Sequence, residues 1–213
     1  MAKRRGSGLL MLWADASAST EETFGRWLDD QAERLRQVPG FLSVGRYGAT
    51  NGWPKFLTMC ETATPEVLRS SAYAETARQP PPASPDGQAI SNRRQTGYSR
   101  IFPARSTEAD EVAEMSPYLM IGRMNVTPAA ETGFNDWYNT SYIPAFLTVP
   151  GCMRARRFIA VEGQPKYLTV YEFAHPNVQQ SEEWARARDN PRNAEFQADM
   201  KLDEGSPGQY RKL

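Results

Sequence analysis

Phe134-Asn135-Asp136-Trp137-Tyr138-Asn139-Thr140-Ser141-Tyr142-Ile143-Pro144-Ala145-Phe146-Leu147-Thr148-Val149-Pro150-Gly151 decides the fold, because its landmarks occur earlier in the chain in the same order. Phe24-Gly25-Arg26-Trp27 stands for Phe134 to Trp137, and Val38-Pro39-Gly40 for Val149 to Gly151. Pro54-Lys55-Phe56-Leu57-Thr58-Met59-Cys60-Glu61 then returns as Pro165-Lys166-Tyr167-Leu168-Thr169-Val170-Tyr171-Glu172. Tyr73-Ala74, Pro80, Gly97 and Arg100 have counterparts in Trp184-Ala185, Pro191, Gly208 and Arg211. Solenoid units run roughly 20 to 50 residues, so a period this long makes each copy a small domain. The expected division is a first repeat over 1–104, a linker over 105–116 and a second repeat over 117–213.

The spacing within the second copy predicts a strand at Tyr118–Val126 and a helix over Ala129–Leu147 that Pro144 should kink or end. Strands at Cys152–Val161 and Lys166–Ala174 follow, then a helix at Ser181–Arg188, a further helical stretch around Ala194–Met200, and a last strand at Gln209–Leu213. The first copy repeats this with strands near Leu9–Ala14, Phe41–Tyr47, Phe56–Glu61 and Tyr98–Phe102, and helices near Thr20–Gln37 and Pro65–Arg78. Pro80 to Gly87 reads as a mobile loop. The order βαββαβ predicts an α+β chain of two tandem ferredoxin-like repeats, each an antiparallel sheet with helices on one face, joined as a pseudo-dimeric α+β barrel.

The 25 basic and 25 acidic residues among 213 cancel, which leaves no basic field for nucleic acid and no charged tail. Cys60 and Cys152 fall in apolar runs without a CxxC motif, so buried thiols are expected rather than a disulfide. Lys3-Arg4-Arg5 before Leu9-Leu10-Met11-Leu12-Trp13-Ala14 has the outline of a short signal peptide. The same run aligns with Leu119 to Asn125 in mid-chain, however, which favours a first strand and a cytoplasmic protein. No other stretch is long and apolar enough to span a membrane.

Phe134 to Gly151, followed by Arg154-Ala155-Arg156-Arg157-Phe158 and Lys166 to Glu172, resembles the EthD-like branch of the dimeric α+β barrel superfamily. The likeness is clear over the second copy and looser over the first. It implies the fold, and a range of activities: isomerases, polyketide cyclases, decarboxylating and dehydrating enzymes, cofactor-free monooxygenases and haem proteins. The branch commonly carries a histidine on the helix where this chain has Tyr142, and the first copy has Gln31-Ala32-Glu33 there, with one residue fewer before Val-Pro-Gly. Histidine acid–base chemistry at that position is therefore ruled out.

Residues common to both copies read as scaffold, and residues in one copy as site candidates. Glu61 with Arg46, and Glu172 with Arg157, are expected to form cross-strand ion pairs. Tyr142, with Phe134 and Tyr138 at spacings of four, is the candidate proton or hydrogen-bond donor. Arg123, standing where the first copy has Trp13, is the candidate anion stabiliser, with Arg156, on the second strand of that copy, as the alternative and as a candidate substrate contact. Trp137, Tyr138, Asn139 and Phe134 are candidate substrate contacts; Asn135 and Asp136 read equally well as first-turn surface residues. His175 is the only histidine and occupies a strand-to-helix turn, where it would serve a haem if one were bound. One histidine without a cysteine cluster does not make a zinc site.

These features favour a cofactor-independent lyase or isomerase acting by proton transfer on an apolar or aromatic molecule, with no metal. The alternatives are a non-catalytic barrel that binds a hydrophobic ligand, and a haem protein or cofactor-free monooxygenase. Either a monomer of fused repeats or a homodimer is expected.

Overall fold

The computed structural model describes residues 2–78 and 90–213, so the Pro80 to Gly87 stretch lies outside the described residues. In the first half β1 (Gly8–Ala16), α1 (Glu21–Arg36), β2 (Phe41–Asn51), β3 (Phe56–Thr62), α2 (Ser71–Ala77) and β4 (Ile90–Phe102) follow one another. A short helix α3 (Glu108–Val112) falls between the halves. The second half runs β5 (Tyr118–Val126), α4 (Glu131–Trp137), a wide π turn (Tyr138–Tyr142), α5 (Ile143–Leu147), β6 (Cys152–Ala160), β7 (Tyr167–Phe173), α6 (Glu182–Arg188), α7 (Asn193–Phe196), β8 (Met200–Leu202) and β9 (Gly208–Lys212).

The strands lie in the order β7-β6-β4-β1-β3-β2-β9-β5, and β5 pairs with β7, which closes an eight-stranded antiparallel barrel. Within the first half the order is β4-β1-β3-β2 and within the second β9-β5-β7-β6. The halves join edge to edge, through β2 with β9 and β4 with β6, rather than one sheet covering the face of the other. Closure leaves those edges no unpaired hydrogen bonds to offer another chain.

Side chains alternate across each strand, and the alternation sorts the residues into lumen and outer layer. Leu9, Met11 and Trp13 of β1 meet Leu57, Met59, Leu119, Ile121, Leu168 and Val170 inside the barrel. Leu10 and Cys60 face out against Ala32 and Leu35 of α1. Tyr167, Tyr171 and Phe173 of β7 pack under Phe134, Trp137 and Phe146 of the second helical layer. Both cysteines are buried and free.

The same alternation overturns the expected pairs of Arg46 with Glu61 and Arg157 with Glu172. Arg46 lies opposite Thr58 and Arg157 opposite Thr169, so each arginine points outward while each glutamate points into the lumen. Arg46 binds exposed Asp29 instead. Inside, Arg156 donates to Glu61 at 2.5 Å and to Glu172 at 3.3 Å, and Arg5 grips Glu172 through both carboxylate oxygens. Burial opposes the Glu172 charge, but Arg156 and Arg5 outweigh it and hold this carboxyl below its usual range.

Three elements depart from the sequence expectation. β4 begins at Ile90 and not near Tyr98, because its first residues continue the ladder along β1 to Ala16. The helix expected over Pro65–Arg78 is a 3₁₀ turn (Pro65–Arg69) and then α2, because Ser70 is extended and caps α2 by accepting from the Tyr73 N–H at 3.2 Å. The stretch expected to be helical to Met200 ends at Phe196, and β8 forms on β5 at Met124–Val126, beyond the Tyr118–Ile121 segment that β9 covers. The free backbone groups at that end of β5 recruit it.

Candidate functional site

Pro144 shapes the site. Without an N–H it cannot donate to a carbonyl one turn back, and the chain answers with a wide turn in which the Ile143 N–H reaches the Tyr138 carbonyl five residues earlier. This helix carries one residue more between its tryptophan and Val-Pro-Gly than α1 does, and the wide turn absorbs it. Aromatic rings then stack along its inner side: centroids lie 5.1 Å apart for Phe134 and Tyr138, 4.6 Å for Tyr138 and Tyr142, and 4.8 Å for Tyr142 and Phe146. Trp137 packs on Tyr142 at 4.8 Å.

Between these rings and the outer face of β5 and β7 lies a cavity of about 210 Å³. Met120, Gly122 and Met124 form its floor, Trp137, Tyr138 and Tyr142 its roof, Tyr171 one wall, and β8 with Pro207 the far side. Gly122 leaves the space open, since a Cβ there would stand 3.4 Å from the Met124 methyl. Arg188 is at the mouth.

The polar groups of this cavity are uncharged save Arg188, and they include donors as well as the acceptor oxygens of Asn193, Gln197 and Ser206; Asn193 Oδ1 is buried without a partner among the described residues. Trp137 is buried, and its Nε1 has no hydrogen-bond partner among the described residues. The Tyr171 hydroxyl is buried too and completes no hydrogen bond of full geometry among the described residues; burial first, then the nearby Tyr138 and Tyr142 and a loose hydrogen bond with Tyr138, push its pKa well up. Burial, with Tyr138, also raises Tyr142, and Arg188 offsets only part of this. These phenols are protonated at neutral pH, so Tyr142 can give a hydrogen bond or a proton but is no base. No carboxylate, imidazole or thiol lines the cavity among the described residues.

The residues singled out in the sequence divide among several places. Tyr142, Tyr138 and Trp137 come together at the cavity. Phe134 is fully buried behind them and supports Tyr138. Asn139 and Asn135 turn away and accept from Arg157 Nη1 and Nη2 at 2.7 and 2.9 Å. Asp136 is exposed. Arg156 is consumed by the two lumen glutamates, and Arg154 binds Asp110 at 3.1 Å. Arg123 points into the lumen, where its Cζ lies 5.3 Å from the Trp13 ring, so the sheet separates it from Tyr142. His175 is exposed on the turn after β7, its Nε2 beside Gly151 rather than the cavity.

Sequence reasoning missed Arg157. It is fully buried without a carboxylate partner, its Cζ 4.3 Å from the Tyr138 centroid and 5.2 Å from that of Phe134. Cation–π contacts and two asparagine carbonyls replace the ion pair, and together they fix the Tyr138 ring in the cavity roof. Its signal was the Asn135/Asn139 spacing of one helical turn, which places two acceptors over one strand position.

Neither a protein-family model nor a curated protein sequence matches the chain. Solved structures do match it over nearly their full lengths. A protein provisionally described as a chlorite dismutase superposes with a TM-score of 0.66 at 13% identity, covering 100% of this chain and 96% of that one. An anthrone oxidase-like protein gives 0.61 at 14%, covering 99% and 93%. A heme-binding protein from Thermus thermophilus gives 0.57 at 13%, covering 98% and 91%. These likenesses, at 13–14% identity, establish the fold of the chain, an α+β protein with a closed eight-stranded antiparallel barrel.

Proposed function

We propose that the chain is a cofactor-independent enzyme, two tandem ferredoxin-like repeats of the EthD-like branch, that binds an apolar aromatic carbonyl compound in the second-half cavity and moves a proton on it. The observation that carries this reading is Trp137 Nε1, a buried donor without a protein partner at the wall of an aromatic cavity. A planar substrate slides between the methionine floor and the Tyr138–Tyr142 roof. Its carbonyl oxygen accepts from Trp137 Nε1, with the Tyr142 hydroxyl as second donor. When the neighbouring C–H gives up its proton, negative charge moves onto that oxygen, and donors held in an apolar setting stabilise it more than they would in water. No base lines the cavity among the described residues, so the proton leaves to water or to an oxygen of the substrate. That confines the chemistry to C–H bonds already acidified by an adjacent aromatic ketone. The fold shared with the anthrone oxidase-like protein supports a substrate of this shape.

The test is turnover and binding of hydroxylated aromatic ketones by wild type and Trp137→Phe. A drop in kcat of roughly tenfold or more, with the fold intact, supports the role. An unchanged kcat refutes it.

A second reading has an observation of its own. A cavity that offers hydrogen-bonding groups and, among the described residues, no carboxylate, imidazole or thiol also suits a barrel that only holds its ligand. Recovery of a tightly bound aromatic compound chemically unchanged selects this reading over the first.

Haem fits less well. No histidine or cysteine lines the cavity among the described residues, His175 is exposed elsewhere, and the phenols resist ionisation. The residues present do not supply an ordinary axial ligand set. Among the described residues no helix is long and apolar enough to cross a membrane, and we keep the cytoplasm and a monomer or homodimer as part of the proposal.

A further inference from the structure

The two ends of the barrel lumen differ in charge. At one end Arg5 and Arg156 face Glu61 and Glu172, and the charges cancel. At the other, Arg123 extends inward from β5 and is 1% exposed. Its Nη2 donates to the carbonyls of Trp53 and Glu204, each at 2.7 Å. The only carboxylate in reach among the described residues is Asp203, whose Oδ2 lies 3.6 Å from Arg123 Nε and already accepts from Arg94 Nη1 at 2.5 Å. Two guanidinium groups therefore share one close carboxylate, and the positive charge left over is offset only in part by the more distant Asp15, which accepts from the Lys55 N–H and Asn92 Nδ2 and acts on Tyr210.

Unused donors collect around that charge. Nε and Nη1 of Arg123 have no hydrogen-bond partner among the described residues. Trp13 Nε1, Tyr98 Oη and Tyr210 Oη, all on buried side chains, complete no hydrogen bond of full geometry among the described residues, although Trp13 approaches the Tyr210 hydroxyl and Thr96 that of Tyr98. Arg123 Cζ stands 5.3 Å from the Trp13 ring. Burial pushes the Tyr210 phenol up to about 12; Arg123 pulls it partly back, Asp15 opposes Arg123, and a hydrogen bond with Trp13 adds a smaller lowering. Tyr98 is raised by burial likewise, and a hydrogen bond with Thr96 and then Arg123 oppose the shift. Buried donors left unpaired cost free energy, and an uncompensated buried charge costs more. Water would satisfy the donors and leave the charge.

We propose that the lumen at Arg123 is a binding site for a small monovalent anion, a halide or a formate-sized carboxylate, held by Arg123, Tyr98, Tyr210 and Trp13. Such an ion accepts from several donors at once and cancels the surplus charge. Arg94 and Asp203, with side chains 34% and 21% exposed, stand at the rim and mark the way in. The site is on the opposite face of the sheet from the aromatic cavity and stands whether or not the proposed enzyme function does.

The experiment is thermal denaturation of the full chain in potassium bromide, formate or gluconate at one ionic strength, the bulky gluconate serving as the ion that cannot enter. Wild-type Tm rises with bromide or formate and saturates, by roughly 5–10 °C at a hundredfold excess over Kd. Tyr98→Phe and Tyr210→Phe each weaken the apparent affinity about tenfold, and Arg123→Met removes the response. In bromide-grown crystals an anomalous peak sits within hydrogen-bond distance of Arg123. A response to bromide alone identifies a halide site, and a response to formate alone a carboxylate site. A wild-type Tm indifferent to ion identity overturns the proposal, as does a bromide response that Tyr98→Phe and Tyr210→Phe leave unchanged. These two variants carry the test if Arg123→Met does not fold.

Discussion

The two helical layers answer the same problem differently. In the first half α1 is regular, and Phe24 and Trp27 stack with centroids 5.7 Å apart over a cavity of about 310 Å³. Leu28, Gln31, Thr58 and Gln95 line that space, and the Thr58 hydroxyl is buried without a partner among the described residues. In the second half the wide turn brings Tyr138 and Tyr142 to the corresponding wall, and Thr169, the counterpart of Thr58, lies 3.5 Å from the Tyr138 hydroxyl. One added residue and a proline thus turn a plain helix–sheet gap into an aromatic clamp. What the halves share holds the barrel together, and what differs is confined to the cavity walls and the cations behind them.

The largest expected break in this correspondence is at the paired lumen glutamates. Glu172 receives Arg5, Arg156 and the Ser116 N–H, whereas Glu61 has Arg156 as its cation. Glu172→Gln leaves two buried guanidinium groups short of charge and should cost about 3–5 kcal/mol in urea denaturation. Glu61→Gln should cost less, since Arg156 keeps Glu172. The pH dependence gives a second readout. The folded pKa of Glu172 lies below its unfolded value, near 4.3 for a free glutamate. Its contribution is therefore present above about pH 4.3 and is lost as the pH falls through the lower folded value. The acid limb of stability should be shallower in Glu172→Gln; equal limbs would dismiss this carboxylate as its source.

Arg157 and Arg46 occupy corresponding strand positions and give a smaller contrast. Arg157→Met strips two asparagine oxygens of their donor and removes the cation under Tyr138, at a cost of about 2 kcal/mol in thermal melts. Arg46→Met loses a bond to Asp29, whose side chain is 69% exposed, and should cost below about 1 kcal/mol. Equal losses would mean that the second half does not depend on its buried cation.

These contrasts also explain what could be read from the sequence. The apolar strands and the Val-Pro-Gly turns are local signals, and both are present in the folded chain. Tyr142, Tyr138 and Trp137 share a wall because they share a helix, and helical spacing is visible in one dimension. Partners across strands are not. Arg156, rather than Arg157 or Arg46, meets both glutamates because a shift of one residue moves a side chain to the other face of a strand. Arg123 was legible as an intruder in an apolar strand, but nothing local says that it crosses the lumen to Trp13. β8 arose from pairing vacant on β5, a demand made by the barrel and not by Met200–Leu202 themselves.

The finest test separates clamp from scaffold at Tyr142. Its ring packs on Trp137, Tyr138 and Phe146, and Phe retains all three contacts. Its hydroxyl has no hydrogen bond within the protein to lose among the described residues, so Tyr142→Phe should change stability by less than about 0.5 kcal/mol. Ligand binding is where the hydroxyl counts. If it donates to a bound carbonyl, Tyr142→Phe should weaken affinity for an aromatic ketone roughly fivefold to tenfold by calorimetric titration, with no matching effect of Gln31→Leu in the first half. If both substitutions leave affinity unchanged while Trp137→Phe lowers it, the indole alone anchors the ligand and the phenol serves only as a wall. If Gln31→Leu is the change that weakens binding, the ligand occupies the larger first-half cavity, and the asymmetry created by the wide turn has been assigned to the wrong side of the barrel.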